Sequence, residues 1–287
     1  MQNIFEIVRD SLHFNKFELD NVLCVEYTCP LEDEWMGVAS QTDYIVHVLS
    51  GKKTWRSIDG EWVMEAGQTL YVKKGVTTIN QFFDDEFCML AFFISDEFIT
   101  ESVLDVKKKS SITKSMSPPQ FTATELVTNT YLEGFFHSML TYFRGKEKPD
   151  DFILKLKLKE LLGNIICSND NPLLESYFYS QLDNSKPNLP HMMELNFCYN
   201  LSLEEYAKLC HRSLSSFKRD FQLCFDTSPG KWLLARRLSY AANLIENNYS
   251  NISQIAFKSG FEDVSHFSRV FKDQYGKSPS EYKKINA

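Results

Sequence analysis

Long apolar runs are missing from this chain of 287 residues. No stretch approaches the roughly 18 consecutive apolar residues of a membrane-spanning helix, so no membrane partner is expected. The N-terminal stretch Met1 to Leu12 carries acids and lacks an apolar centre, and so does not read as a secretory leader. Paired cysteines are missing too. The seven cysteines, at 24, 29, 88, 167, 198, 210 and 224, are odd in number and show no Cys-x-x-Cys spacing. They read as reduced core residues of a cytoplasmic protein, not as disulfides or metal ligands.

Positive charge is scarce overall, with a net charge of −7. That balance argues against nucleic acid only while the chain is taken whole. Residues 187–287 hold 13 Lys+Arg against 10 Asp+Glu, a net of +3, while residues 1–186 hold 18 against 28, a net of −10. DNA affinity depends on local phosphate contacts, so the mildly basic C-terminal region is what counts.

From about Phe14 to Ile94, short segments rich in β-branched and aromatic residues alternate with turn signals. Val22–Tyr27, Tyr44–Leu49, Thr69–Val72 and Cys88–Ile94 read as strands. Ser50-Gly51, Asp59-Gly60, Ala66-Gly67 and Lys74-Gly75 read as turns, Asp59-Gly60 most sharply because a two-residue hairpin needs positive φ twice. Such spacing predicts an all-β sandwich or barrel. His47 shares a face with Ile45 and Leu49 and is expected to point inward.

Residues 105–121 form a polar tether. A Thr-x-x-Glu capping box at Thr122–Glu125 predicts a helix start, with Leu132, Phe136, Met139 and Phe143 at helical spacing. Asp150-Asp151 opens a second helix, whose stripe is Leu154, Leu158, Leu161, Leu162 and Ile165. The stripe needs a partner, either the barrel or a second copy of the chain. Residues 184–188 read as a second linker.

The last hundred residues contain a repeat. Phe217-Lys218-Arg219-Asp220-Phe221, followed by Ser228-Pro229, is echoed by Phe267-Ser268-Arg269-Val270-Phe271, followed by Ser278-Pro279. Phe225 is answered by Tyr275 and Trp232 by Tyr282, so one small unit is built twice. In the first copy Ser202 caps a short helix, Ser213 caps the next, and Phe217 and Phe221 bury a stripe. Ser215, Lys218, Arg219 and Gln222 then face outward. In the second copy Gly260 to Asp263 makes the turn and Ser265, His266, Ser268 and Arg269 project. Arg, Lys, Gln and Ser are the side chains that read base edges in a major groove; a solvated helix face has the same composition, but it does not explain the doubled arginine. The long helix Gly230–Asn247 would hold the copies apart at a fixed distance.

Ile255-Ala256, Gly260-Phe261, Phe267-Ser268-Arg269-Val270-Phe271-Lys272, Gly276, Ser278 to Tyr282, the Leu203–Ala207 helix and Arg236 with Leu238 strongly resemble the AraC/XylS family of bacterial transcription regulators. The likeness covers about Leu189 to Lys284. It departs in the first copy, at His211-Arg212 and at Asp220. The order of strands and turns from Val22 onward resembles a cupin-type jelly roll, as in the sensory domain of such regulators. Metal-holding cupin enzymes carry several histidines; here His47 stands alone and Val76-Thr77-Thr78-Ile79-Asn80 has none, so no metal and no cofactor are expected.

The resemblance implies an α+β chain: a cupin-like β-barrel sensory domain (1–104), a linker (105–121), a helical dimerisation segment (122–183), a linker (184–188) and an all-α domain of two helix-turn-helix units (189–287). It implies a dimeric, non-enzymatic regulator of promoter DNA, an activator that contacts RNA polymerase and answers to a small molecule or regulatory protein. A cupin-type enzyme with an attached DNA-binding module is the alternative. Base contacts fall on Ser215, Lys218, Arg219, Ser265, His266, Ser268 and Arg269. Phosphate contacts fall on Ser202, Ser213, Gln222 and Lys272. The aromatic residues Trp35, Tyr44, Trp55 and Tyr71 with His47 are candidates for an effector pocket, or for barrel core. Leu154, Leu158, Leu161, Leu162 and Ile165 are candidates for the dimer interface.

Overall fold

A computed structural model describes residues 2–19, 22–28, 35–81, 87–107, 119–145, 147–183, 187–247 and 249–286. Cys29, most of the expected 105–121 tether and residues 184–186 of the second linker lie outside the described residues. The chain divides into two compact units, residues 2–185 and 186–287.

The N-terminal unit runs β1 (Gln2–Asn3), α1 (Ile4–Asp10), β2 (Asn15–Leu19), β3 (Val22–Thr28), β4 (Trp35–Ser40), β5 (Asp43–Ser50), β6 (Lys52–Arg56), β7 (Glu61–Glu65), β8 (Thr69–Val72), β9 (Gly75–Gln81) and β10 (Cys88–Ile94). It continues with α2 (Asp96–Lys107), β11 (Ala123–Leu126), α3 (Thr130–Phe143), α4 (Asp151–Cys167) and α5 (Pro172–Ser180). Among the described residues the expected closed barrel does not form. The strands make two open sheets, one ordered β1-β4-β9-β6-β7 and the other β11-β8-β5-β10-β3-β2. All pairings are antiparallel except β1 with β4.

The six-stranded sheet is buried on both faces. On β5, Tyr44, Val46 and Val48 join Trp55, Met64 and Ile79 of the other sheet in one core. Ile45, with Leu90, Phe92 and Ile94 of β10, faces the opposite way, into a second core built with α2, α3, α4 and α5. Strict alternation therefore carries both faces of β5 into apolar surroundings. His47 shares Ile45's face as expected, but that face lies under the helices: the imidazole stacks on Phe136 at 4.0 Å and 4°. Burial pushes its pKa down to about 4. Tyr71 lies in the same layer. Its hydroxyl and that of Tyr177 donate to the buried Asp43 carboxylate at 2.5 and 2.7 Å, and the Lys74 N–H adds a third bond at 2.8 Å. Asp43 thereby pins α5 to the sheet, and burial together with its charge holds both phenols well above their usual pKa.

Two expectations fail in the helical layer. Thr122–Glu125 fits a capping box, yet Ala123–Leu126 pairs with Thr69–Val72 as an edge strand. The helix starts later, where the Asn129 side chain accepts from the Tyr131 and Leu132 N–H groups. The proposed dimer stripe is also spent inside the unit. Leu154, Leu158, Leu161, Leu162 and Ile165 are at most 1% exposed and belong to the core between the helices and the sheet. Two lysines of α4 meet α2 instead, Lys155 with Glu101 at 3.2 Å and Lys159 with Asp105 at 2.6 Å.

The C-terminal unit comprises α6 (Leu189–Asn196), α7 (Leu203–Leu209), α8 (Leu214–Phe225), α9 (Pro229–Glu246), α10 (Ile252–Lys258), α11 (Val264–Tyr275) and α12 (Pro279–Asn286). The sequence echo becomes an aromatic stack built twice. Phe217, Phe221, Phe225 and Trp232 follow one another with ring centroids 5.7, 4.4 and 4.9 Å apart. Phe267, Phe271, Tyr275 and Tyr282 do so at 5.4, 4.6 and 5.5 Å. Cysteine burial is mixed: Cys24 and Cys210 are buried, while Cys167 and Cys224 are exposed, against the expectation of core positions. Among the described residues no helix is long and apolar enough to cross a membrane.

Candidate nucleic-acid interface

Each half of the C-terminal unit offers a short helix, a tight turn and a longer helix. The Ser202 hydroxyl accepts from the Glu205 N–H, and the Glu205 carboxylate accepts from the Ser202 N–H at 2.7 Å, a closed capping box on α7. The Ser213 hydroxyl caps α8 by accepting from the Ser216 N–H. Phe217 and Phe221 are fully buried, which turns Ser215, Lys218, Arg219 and Gln222 to the exposed side.

The second half repeats this. Asn251 caps α10 and Asp263 caps α11. Phe267 and Phe271 are buried, and Ser265, His266, Arg269 and Lys272 are exposed. Ser268 differs from its expectation: it is half-buried, and its hydroxyl donates back to the Val264 carbonyl at 2.8 Å. The turns match in kind. His211 takes φ of 52° where the second copy has Gly260 at 88°, each the second residue after its short helix, although the second turn is one residue longer. The sequence placed Gly260 in its turn; the left-handed conformation of His211 was not expected, although histidine is among the residues enriched there. The long helices also end alike, on left-handed Asp226 and Gly276.

The two halves are locked together. A Cβ on Gly260 would sit 2.5 Å from the Cys198 carbonyl oxygen. Arg237 of α9 donates to the Phe197 and Tyr199 carbonyls at 2.7 and 2.8 Å, and Asn200 donates to Glu262. Helix α8 also carries a charge network. Arg212 donates to Asp220 across the turn, and this bond, followed by that from Arg219, holds the Asp220 carboxyl below its usual pKa.

The effector candidates of the N-terminal unit separate into two places. Tyr44 and Trp55 line a cavity of about 150 Å³ between the two sheets, with Phe14, Tyr27, Lys53 and Phe93. Lys53 is 1% exposed and its ammonium lies over Tyr27 and Phe87 at 4.7 and 4.9 Å. His47 and Tyr71 do not reach that cavity, because they point from the other face of the sheet. The side chain of Trp35 lies outside the described residues. Among the described residues no three His, Cys, Asp or Glu side chains converge as a metal site.

Two phenylalanine-anchored helices, each preceded by a capped helix and a left-handed turn and each showing an arginine, define a double helix-turn-helix DNA-binding protein. Residues 206–285 match the family described as helix-turn-helix domain, and residues 43–177 match the ExsA N-terminal regulatory domain. The chain is similar to the HTH-type transcriptional regulator ExsA of Pseudomonas aeruginosa, 24% identical over 81% of this chain and 83% of that protein. It is similar also to the virulence regulon transcriptional activator VirF of Yersinia enterocolitica, 21% identical over 91% of this chain and 94% of that one. A crystal structure of an apo ToxT variant from Vibrio cholerae aligns over 93% of this chain and 98% of its own, at 14% identity and a TM-score of 0.43. The chain combines an AraC-type helix-turn-helix domain with an ExsA-type N-terminal regulatory domain, the make-up of an AraC-family transcription regulator.

Proposed function

We propose that the protein activates transcription by setting α8 and α11 into successive major grooves of promoter DNA and contacting RNA polymerase, under control of its N-terminal unit. The observation that carries this reading is the duplicated exposed face, Ser215, Lys218 and Arg219 answered by Ser265, His266 and Arg269, on helices whose opposite sides are fixed by buried phenylalanines. Base contacts belong to these residues, with Ser268 close by. Ser202, Ser213, Gln222 and Lys272 serve the phosphates. The 18 residues of α9 span about 27 Å, a spacer of the same order as the roughly 34 Å groove repeat. Activation is supported by the similarity to VirF.

The packed interior of the N-terminal unit supports control by a regulatory protein over control by a drug-sized effector. Its cavity of about 150 Å³ falls below the roughly 300–1,000 Å³ of ordinary small-molecule pockets. A second reading keeps the cavity as an effector site, since an apolar space of that size takes a benzene-sized guest. The test is selection of duplexes from a random-sequence pool by the full chain, followed by footprinting. Two protected segments on one face, about one helical turn apart, are expected; a single protected segment, or no enriched sequence, would overturn the reading.

A further inference from the structure

Two of the residues at which the first copy departs from the family pattern, Arg212 and Asp220, are partners. The Arg212 side chain is 11% exposed, and its Nε donates to Asp220 Oδ2 at 3.0 Å. Its Nη1 donates to the carbonyls of Pro187 and Cys210 at 3.0 and 2.7 Å. Asp220 is thus held from behind by a guanidinium that is itself fixed to backbone. Its other oxygen, Oδ1, accepts from Nε and Nη2 of Arg219 at 3.3 and 3.2 Å. The second repeat has Phe261 and Val270 at the corresponding positions, both in an apolar cluster, so Arg269 has no carboxylate there.

We propose that Asp220 is a positioning residue for DNA reading, holding the Arg219 guanidinium in place for a guanine while Arg212 holds the carboxylate. The inference rests on α8 being a base-reading helix. Arg219 is 71% exposed at its side chain, and a long side chain in solvent loses rotamer freedom when it docks. A neighbour that restricts it beforehand reduces that loss. The geometry leaves the right edge for a base. Nε and one Nη2 hydrogen face Asp220, and the other Nη2 hydrogen faces the Ser216 hydroxyl at 3.3 Å. Exchanging Ser216 for a base releases the Nη1–Nη2 edge, whose two parallel donors match O6 and N7 of guanine. Asp220 stays bonded throughout. The same carboxylate repels phosphate, so a residue present only for affinity would not be acidic here.

The test uses the full chain and a duplex that it selects from a random pool, with dissociation constants measured for every single base-pair substitution in both half-sites. Arg219→Ala identifies the base pair it reads as the one whose discrimination collapses, by roughly 5- to 150-fold for a bidentate contact. Asp220→Ala and Asp220→Asn are expected to lower discrimination at that same pair by about threefold to tenfold, and to leave the second half-site as in wild type. In the Arg219→Ala background neither change should alter it further. Asp220→Asn, which keeps an acceptor for Arg212, decides the matter if Asp220→Ala loses helix by circular dichroism. If Asp220 variants bind all duplexes more tightly with discrimination intact, the residue is only a charge near DNA and the proposal fails. If Arg219→Ala changes no base preference, the assignment of α8 as a reading helix fails with it.

Discussion

Replacing Gly260 by alanine tests the packing that joins the second helix-turn-helix to the first. Two costs add at this position. Gly260 has φ of 88°, where an L side chain costs about 1–2 kcal/mol. The new Cβ would also lie 2.5 Å from the Cys198 carbonyl oxygen and 3.0 Å from the Arg237 Nε. Backbone cannot swing aside as a side chain tip can, so the α6–α7 connection must move, at about 1–3 kcal/mol for an overpacked site. The sum is roughly 2–5 kcal/mol. Gly276 supplies the control, because its φ is 73° but nothing lies within 4 Å of its Cβ position; Gly276→Ala should cost only the first part, about 1–2 kcal/mol. Trp232 is the only tryptophan after residue 62 and stacks in the first repeat. Fluorine NMR of the full chain labelled with fluorotryptophan, titrated with urea, therefore follows this unit by its own resonance. Equal losses for the two variants would refute the close approach between the halves.

Three further outcomes follow from the N-terminal unit. Burial lowers the His47 pKa to about 4, whereas the unfolded chain titrates near 6.5. Between those values only the unfolded state takes the proton, so stability should fall by up to about 3 kcal/mol as pH drops from about 6.5 to about 4. His47→Phe should flatten that part of the pH–stability curve; an unchanged slope refutes it. Asp43→Ala strands the Tyr71 and Tyr177 hydroxyls and the Lys74 N–H, at a cost of about 3 kcal/mol or more. Hydrogen exchange should show α5 opening first, and uniform loss of protection across the unit would contradict that pinning role. Leu158→Ala should cost about 2–5 kcal/mol in urea unfolding, with the mass of the folded protein by sedimentation unchanged; dissociation of an oligomer without loss of stability would restore Leu158 to an interface.

What was legible in the sequence followed from local rules. The C-terminal unit showed because its phenylalanines, caps and turns recur at fixed spacing, and a repeat reports the same packing twice. Ser202 was readable as a helix cap for the same reason, since a cap is a contact only a few residues long. The N-terminal unit hid its second core. The face expected to point inward, Ile45 with His47 and Leu49, lies under the helices, and the equally apolar Tyr44, Val46 and Val48 make the core between the sheets. A continuous run such as Cys88–Ile94 is what a strand covered on both sides looks like, and that was the available signal for a helical layer on the sheet. Thr122–Glu125 misled because an edge strand and a helix start compete for one short stretch, and pairing with β8 decided between them. Arg212 and Asp220 stood out singly as departures. Their partnership spans a turn whose shape depends on His211 at positive φ, which no spacing rule anticipates.

The central claim is that α8 and α11 read DNA, and Arg269 tests it most directly. On a duplex selected by the wild-type chain, Arg269→Ala should cost about 1–3 kcal/mol at one base pair of the second half-site, seen as loss of preference there while the first half-site keeps its own. Arg219→Ala should do the converse. Unchanged affinity and unchanged base preference in both variants, with helix content intact, would contradict the account.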